Sequence, residues 1–258
     1  MARGSLTVVG TGIRIGVHLT PEARAAIDAS DELLHLGADT LMDEWLHGLH
    51  PCATSLSSEY HVGEAREEIY ERIVERMLAP VRNGLRVTAA FYGHPGVYVR
   101  PSHEAVRRAR SEGHDARMLP AVSAEDCLFA DLGIDPATTG CTSYDATDFL
   151  LRAPPIDTGS SLILWQITVI GEPNAVAEPR LDNVHLLVER LAEHYPRDHE
   201  VVVYEASPFP IADPVIERVP LDKLPEAALT PLSTLYVSPA TVREFDRETA
   251  ARLGFFTH

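Results

Sequence analysis

The strongest constraint on the fold is a strand, glycine turn and helix start close to residue 10. The apolar run Leu6 to Val9 is followed by the turn Gly10-Thr11-Gly12 and then by Thr20 and Pro21. Threonine is a preferred N-cap and proline a preferred first helical residue, so this order predicts a strand that leads through a turn into a helix. A second apolar run, Glu32 to Leu36, follows. Such alternation is typical of an α/β fold built on a parallel sheet.

Later segments continue the alternation. Apolar runs and helical spacing predict strands at Arg86–Tyr92, Ala116–Leu119, Thr142–Tyr144, Leu162–Ile170, Glu200–Tyr204 and Thr234–Val237, and helices at Val62–Arg82, Pro101–Gly113, Ala124–Leu132 and Leu181–His194. The sequence therefore predicts two α/β domains, residues 1–119 and 120–240, followed by a C-terminal tail, residues 241–258, that is predicted to be helical.

Charge and apolar patterning exclude several kinds of partner. The chain has 38 acidic and 22 basic residues, a formal charge of −16, which disfavours nucleic acid because such binders need a basic surface. The longest apolar stretch, Leu162 to Ile170, is too short to cross a membrane, and Met1 to Ser5 leaves no room for a signal peptide before the first strand. We therefore expect a cytoplasmic protein that acts on a small molecule or a peptide.

The glycine turn leaves two interpretations open. Gly10, Gly12 and Gly16 follow a strand, as in a dinucleotide fingerprint, but the third glycine comes one residue late. A tight turn of any α/β protein explains the same residues. The twelve histidines form no HExxH motif and no close pairing with a carboxylate at ligand spacing, so we expect no metal.

A second glycine-rich segment, Tyr92-Gly-His-Pro-Gly96, is a stronger candidate for a ligand site. It follows the predicted strand Arg86 to Tyr92, and ligands of open α/β sheets bind outside the carboxyl ends of strands. Two glycines and a proline fix a sharp turn, while Tyr92 and His94 add a stacking face and a polar contact. These features favour a cofactor loop.

One face of the helix predicted from Val62 carries a single charge. Arg66, Tyr70, Ile73, Met77 and Val81 share that face at about 100° per residue. Two interpretations of Arg66 remain open. Its guanidinium group either reaches water from the first turn of the helix, or lies at hydrogen-bonding distance from Tyr70 or from Tyr60. A nearby cation lowers the pKa of a phenol from its ordinary value of about 10 and so creates a base.

Three longer segments carry a family resemblance. The runs Phe91–Val97, Pro101–His103 and Met118–Leu132 resemble the methyltransferase domain of the borosins, enzymes that N-methylate backbone amides of a ribosomally made peptide. The likeness covers about residues 4 to 240. The resemblance implies the wider tetrapyrrole methylase fold, in which two α/β domains hold S-adenosylmethionine in the cleft between them.

The resemblance also implies residue roles. Arg66 and Tyr70 match a catalytic arginine and tyrosine one helical turn apart, and Tyr60 matches a further active-site tyrosine. S-adenosylmethionine, with S-adenosylhomocysteine as product, would be contacted by Tyr92, His94, Val97, Ser123, Ala124, Gln166, Tyr204, Ser233 and Thr234.

The expected partners follow from the same resemblance. The fungal enzymes carry their substrate on a C-terminal extension, whereas the tail here is short; its Val242, Phe245 and Leu253 suggest an amphipathic helix. We therefore expect a separate precursor peptide that is modified in trans, as in split borosin systems. A homodimer is also expected, because active sites in this family are completed across subunits.

Two other functions compete with peptide methylation. A tetrapyrrole C-methyltransferase acting on a precorrin-like macrocycle has the same fold and cofactor. Its substrate, however, carries many carboxylates and would favour a positively charged entrance to the active site, whereas this chain has a formal charge of −16. A cofactor-binding regulatory module without turnover is the second. It would leave Arg66 and its flanking tyrosines without a purpose.

Overall fold

The computed structural model describes residues 3–255 and contains two compact units. The first unit consists of residues 1–134, 171–179 and 205–215, and the second of residues 135–170, 180–204 and 216–258. The sequence predicts a single division between residues 119 and 120, whereas two later segments of the chain belong to the first unit. That difference arises from long-range contacts that no local pattern encodes.

The first unit is a five-stranded sheet with helices on both faces. The sheet order is β3-β2-β4-β1-β5, and each pairing is parallel. Its strands are β1 (Ser5–Gly10), β2 (Glu32–Leu36), β3 (Ala53–Ser55), β4 (Arg86–Phe91) and β5 (Asp115–Met118), and its helices are α1 (Pro21–Ala29), α2 (Thr40–His47), α3 (Arg66–Arg82), α4 (Arg100–Ser111) and α5 (Ala124–Leu132).

Alternating residues of β1 bury both faces of this sheet. Leu6 and Val8 pack in a cluster with the apolar sides of α3 and α4, whereas Val9 packs in a second cluster with Ile27 of α1 and Met42 of α2. Burial on both faces is the usual reason that strands of parallel sheets are continuously apolar. The predicted α/β class is confirmed here, and the helices leave the carboxyl ends of the strands open to loops.

The second unit contains a mixed sheet in the order β6-β7-β10-β8-β9. β6 and β7 are parallel, whereas β10 runs antiparallel to both β7 and β8. Its strands are β6 (Cys141–Asp145), β7 (Ser161–Trp165), β8 (Glu200–Glu205), β9 (Val215–Pro220) and β10 (Thr234–Val237), and its helices are α6 (Pro136–Thr139), α7 (Ala146–Arg152), α8 (Val184–Ala192) and α9 (Arg247–Arg252).

Several predicted elements are shorter than the sequence suggested, among them α8, which spans Val184–Ala192, and for two of them the structure shows the cause. α3 begins at Arg66 instead of Val62, because the N–H groups of Gly63 and Arg66 donate to the carbonyls of Ala175 and Pro173 instead of continuing a helix. β7 ends at Trp165, where Gln166 adopts a φ of 58° that no strand can continue.

The C-terminal tail contains α9 within the segment predicted to be helical; residues 256–258 of that prediction lie outside the described residues. Within residues 3–255, no helix combines the length and the apolar character required to cross a membrane.

Candidate active site

Loops from three strands meet at the carboxyl edge of the first sheet. The turn after β1 and the loop after β4 are joined by two backbone hydrogen bonds between Gly12 and Gly93, with N···O distances of 3.2 and 3.1 Å. A β-carbon on Gly10 would lie 2.2 Å from the Gly93 carbonyl oxygen and 2.6 Å from Ala121 and Pro95. The first glycine therefore serves a close approach of backbones at this edge.

The loop after β4 holds three of the predicted cofactor residues in one turn. The Tyr92 N–H donates to the Leu36 carbonyl at 3.1 Å. His94 Nδ1 accepts from the Gly96 N–H at 3.0 Å, and the His94 carbonyl accepts from the Val97 N–H at 3.1 Å. Burial raises the pKa of Tyr92 to about 12, so at neutral pH its phenol is a hydrogen-bond donor with an aromatic face.

Ser123 and Ala124 form the start of α5, beyond the end of β5. Ser123 Oγ accepts from the Asp126 N–H at 3.2 Å, and the Asp126 carboxylate accepts from the Ser123 N–H at 2.7 Å, which is a capping box. The Ser123 side chain is thus fixed by the helix itself. The five first-unit residues that the resemblance implies thus lie on the loop after β4 and at the start of α5, which follows β5.

The four second-unit residues gather at one edge of the mixed sheet. Thr234, at the start of β10, pairs with Tyr204 of β8. Gln166 directly follows β7, whose Leu164 pairs with Leu235 of β10. Ser233 precedes β10, and its Oγ accepts from the Thr230 N–H at 2.8 Å. Tyr204, Ser233 and Thr234 are all buried.

A later segment of the chain fixes the predicted catalytic arginine. The Arg66 N–H donates to the Pro173 carbonyl at 3.0 Å, and Arg66 Nε donates to the Asn174 carbonyl at 3.3 Å. The segment 171–179 therefore holds both the backbone and the side chain of this residue at the first turn of α3.

The three predicted catalytic residues are electrostatically linked. Burial raises the pKa of Tyr60 well above its ordinary value; the neighbouring Tyr70 adds to the increase and the charge of Arg66 opposes it. The expectation that Tyr60 has a pKa below its ordinary value is therefore wrong, because desolvation outweighs the opposing effect of Arg66. Tyr60 as a whole is 39% exposed, but the surroundings of the phenol oxygen, not of the ring, set its pKa.

Tyr70 borders a cavity of about 300 Å³ between α3 and α4. Val74 lies on the α3 side, Pro101 and His103 lie on the α4 side, and the ion pairs Arg100–Glu67 and Arg108–Glu71 span the two helices. The His103 ring donates from Nε2 to the Gly96 carbonyl at 2.9 Å. Tyr70 and His103 therefore line the same cavity, and His103 also bonds to the loop after β4.

His103 was not predicted as a site residue, although it lies in the Pro101–His103 segment that carries the resemblance. A second cavity, of about 490 Å³, lies at the ends of β2 and β3 and is lined by none of the predicted site residues. There the buried His35 bonds to Asp43 at 2.8 Å, and Asp43 accepts from the Ser55 hydroxyl at 2.6 Å. Within residues 3–255, no cluster of His, Cys, Asp and Glu side chains is arranged to hold a metal ion.

Comparison with known proteins identifies relatives over nearly the whole chain. Residues 5–222 match the family model described as Tetrapyrrole (Corrin/Porphyrin) Methylases. The chain is 39% identical over 97% of its length to a methyltransferase/ribosomally synthesized cyclic peptide omphalotin A precursor of Omphalotus olearius. It is 40% identical over 98% of its length to the corresponding dendrothelin A precursor of Dendrothele bispora. It covers 61% and 62% of those two proteins, about three fifths of their length.

Solved structures with a similar fold include a uroporphyrin-III-C-methyltransferase from Thermus thermophilus, with a TM-score of 0.65 and 21% identity over 92% of this chain and 93% of that one. A cobalt precorrin-4 methyltransferase has a TM-score of 0.64 and 18% identity over 91% and 94%. At these identities the likeness concerns the fold alone, and it confirms the predicted fold class.

Proposed function

Because this chain belongs to the tetrapyrrole (corrin/porphyrin) methylase family of methyltransferases, we propose that it uses S-adenosylmethionine to N-methylate backbone amides of a ribosomally made peptide. The observation that carries this proposal is the cavity in which Tyr70 faces the same space as His103, the partner of the loop after β4. Relatives whose names describe methyltransferases joined to cyclic peptide precursors support the choice of substrate.

The loop edge of the first unit fits the proposed cofactor. At Gly10 and Gly96 a β-carbon would overlap or crowd neighbouring protein atoms, so both glycines allow the loops at this edge to pack closely in one fixed arrangement. Tyr92 would offer an aromatic face and a neutral hydroxyl, and His94 a ring N–H. When bound, S-adenosylmethionine supplies an electrophilic methyl group on a sulfonium.

The amide nitrogen is a poor nucleophile because its lone pair is delocalised into the carbonyl. In the proposed reaction, Tyr70, one helical turn from Arg66, accepts the amide proton as general base. Tyr60, which burial keeps protonated, donates a hydrogen bond to the oxygen of the imidate that forms. Bound S-adenosylmethionine would supply the methyl group to the nitrogen and become S-adenosylhomocysteine.

The partners remain part of the proposal. We propose that the peptide is presented in trans, that the enzyme is a homodimer, and that it works in the cytoplasm. Light scattering on the purified protein measures the oligomeric state directly. A mass of one chain, 28.3 kDa, would contradict the dimer without affecting the chemistry.

The decisive experiment is tandem mass spectrometry of the peptide encoded beside this gene, after co-expression with the enzyme. We expect mass increments of one methyl group on backbone nitrogens, absent with Arg66→Ala. Arg82→Ala is the matched control, because Arg82 lies on the same helix but pairs with Glu75 and Glu112 at the surface. An unmodified peptide, with cofactor binding intact, would contradict the proposed substrate and direct the next assay to a polycarboxylate macrocycle.

A further inference from the structure

Two imidazole rings bind the two peptide groups that flank Gly96 in the loop after β4. The Gly96 N–H donates to His94 Nδ1 at 3.0 Å, and the Gly96 carbonyl lies 2.9 Å from His103 Nε2. A β-carbon on Gly96 would lie 3.3 Å from His94 Cε1, 3.4 Å from His103 Nε2 and 2.9 Å from Met118 Sδ. Glycine is therefore the residue that fits between the rings without displacing them.

These bonds determine where the protons lie. A backbone N–H can only donate, so His94 Nδ1 must be the unprotonated acceptor, and the proton of the neutral ring is on Nε2. A carbonyl can only accept, so His103 Nε2 must carry a proton. The hydrogen bond to His94 thus leaves His94 Nε2–H available to a ligand, while His103 holds the other side of Gly96, the residue whose N–H selects this tautomer.

The position of His103 on α4 supports a role beyond helix formation. α4 has no side-chain cap at its start, and the preceding residue, the buried Ser102, bonds to the carbonyls of Pro95 and Val99. Two successive residues of the first helical turn therefore hold the loop through its carbonyls. His103 itself is exposed, so its ring contributes little to the core.

We propose that His103 is a positioning residue for cofactor binding: through Gly96 it holds the 92–97 loop and keeps His94 in the tautomer that presents Nε2–H to the cofactor. The inference rests on the proposed function, because it takes this loop as the binding site for S-adenosylmethionine. It adds a residue to which neither the sequence nor the family resemblance assigned a role.

The test compares three variants of the full chain by calorimetric titration with S-adenosylhomocysteine. His103→Ala should raise the Kd about ten-fold, the effect of losing a hydrogen bond that organises a site. His103→Gln, whose amide can still donate to Gly96, should restore most of the affinity. His185→Ala is the matched control, since His185 is another exposed histidine with a short-range carbonyl contact, to Asp182, on a helix of the second unit.

A second measurement separates positioning from stability. Nitrogen-15 NMR of the imidazole rings should show His94 Nδ1 unprotonated in the parent chain and a mixture of tautomers in His103→Ala, with the thermal midpoint unchanged. A parental Kd and a parental His94 spectrum in His103→Ala would overturn the inference. If the parent chain itself does not bind S-adenosylhomocysteine, the proposed function fails instead, so the two failures are distinguishable.

Discussion

The two sheets present their candidate cofactor residues in different ways. In the first unit these residues lie on the loop after β4 and at the start of α5, held by a few hydrogen bonds such as those of His94 and Ser123 and by close backbone contacts at Gly10. In the second unit, Tyr204 and Thr234 lie within paired strands and are buried by the sheet itself. Both groups occupy one edge of their sheet.

This difference separates two ways of building a ligand site. A strand residue is positioned by the whole hydrogen-bonded ladder, so the loss of one side chain leaves its backbone in place. A loop residue depends on a few specific contacts, so one substitution can displace several ligand groups. Cofactor affinity should therefore be more sensitive to substitutions in the first unit than in the second.

The largest effect is expected for Gly10→Ala. Its β-carbon would overlap the Gly93 carbonyl, which is backbone and cannot rotate away, so the loops after β1 and β4 must separate. We expect no measurable binding of S-adenosylhomocysteine in calorimetry. Gly48→Ala is the control, because its β-carbon would make only ordinary contacts, at 3.4 Å and beyond. Parental affinity in Gly10→Ala would refute the comparison at its strongest point.

The next largest effect is expected for Arg66→Ala, which should lower the rate of methylation without weakening cofactor binding. Because Arg66 lies at the start of α3 and not on the cofactor loops, we expect the methylation rate to fall about 10²–10⁴-fold, the usual range for general acid–base catalysis, with the cofactor Kd retained. Tyr60→Phe, which loses one proposed hydrogen bond to the imidate, should have a smaller effect. Single-turnover rates measured at saturating cofactor test this order, and parental rates in both variants would exclude the proposed machinery.

A pair of serines tests the comparison directly. Ser123→Ala removes the cap of α5 and should cost about 1 kcal/mol of stability. Ser233→Ala removes an acceptor of the Thr230 N–H and should cost a similar amount. Thermal midpoints should therefore fall alike, by about 2–4 °C, whereas the cofactor Kd should rise more for Ser123→Ala. Equal Kd values would show that the two units tolerate the loss of a serine hydroxyl equally well.

The smallest expected effect is a mild acid sensitivity of the first unit. Burial lowers the pKa of His35 below its ordinary value of 6.5, so the unfolded chain binds more protons than the folded chain once the pH falls below that value. The contribution of His35 to the free energy of unfolding is therefore fully present above pH 6.5 and is lost as the pH falls below that value. His18, whose pKa burial also lowers, acts in the same direction. The thermal midpoint should fall less steeply between about pH 7 and 5.5 in His35→Gln than in the parent.

Sequence predicted the elements whose signals are local. Thr20 caps α1 through the Ala23 N–H, as its position before a proline indicates, and the predicted bounds of α5 and β10 agree with the structure. α2 was missed although Asp39 caps it, because its eight residues give little periodicity.

Sequence could not predict features that depend on distant segments. The start of α3 is set by hydrogen bonds to residues more than 100 positions later, which no helical pattern encodes. The pKa of Tyr60 depends on burial by the folded chain and so followed desolvation, not the nearby Arg66. The contact of His103 with Gly96 required the loop to fold back onto α4.

The position of residues 171–179 in the chain determines when the contacts of the first unit can form during synthesis. During synthesis the strands and helices of the first sheet emerge before this segment, and domains generally fold from the N-terminus onwards. The backbone partners of Gly63 and Arg66, however, are Ala175 and Pro173, which leave the ribosome only after β6 and β7. Contacts of such sequence separation form slowly. A nascent chain would therefore complete its first sheet before its predicted catalytic arginine is anchored, because that anchor forms only when residues 171–179 have been made.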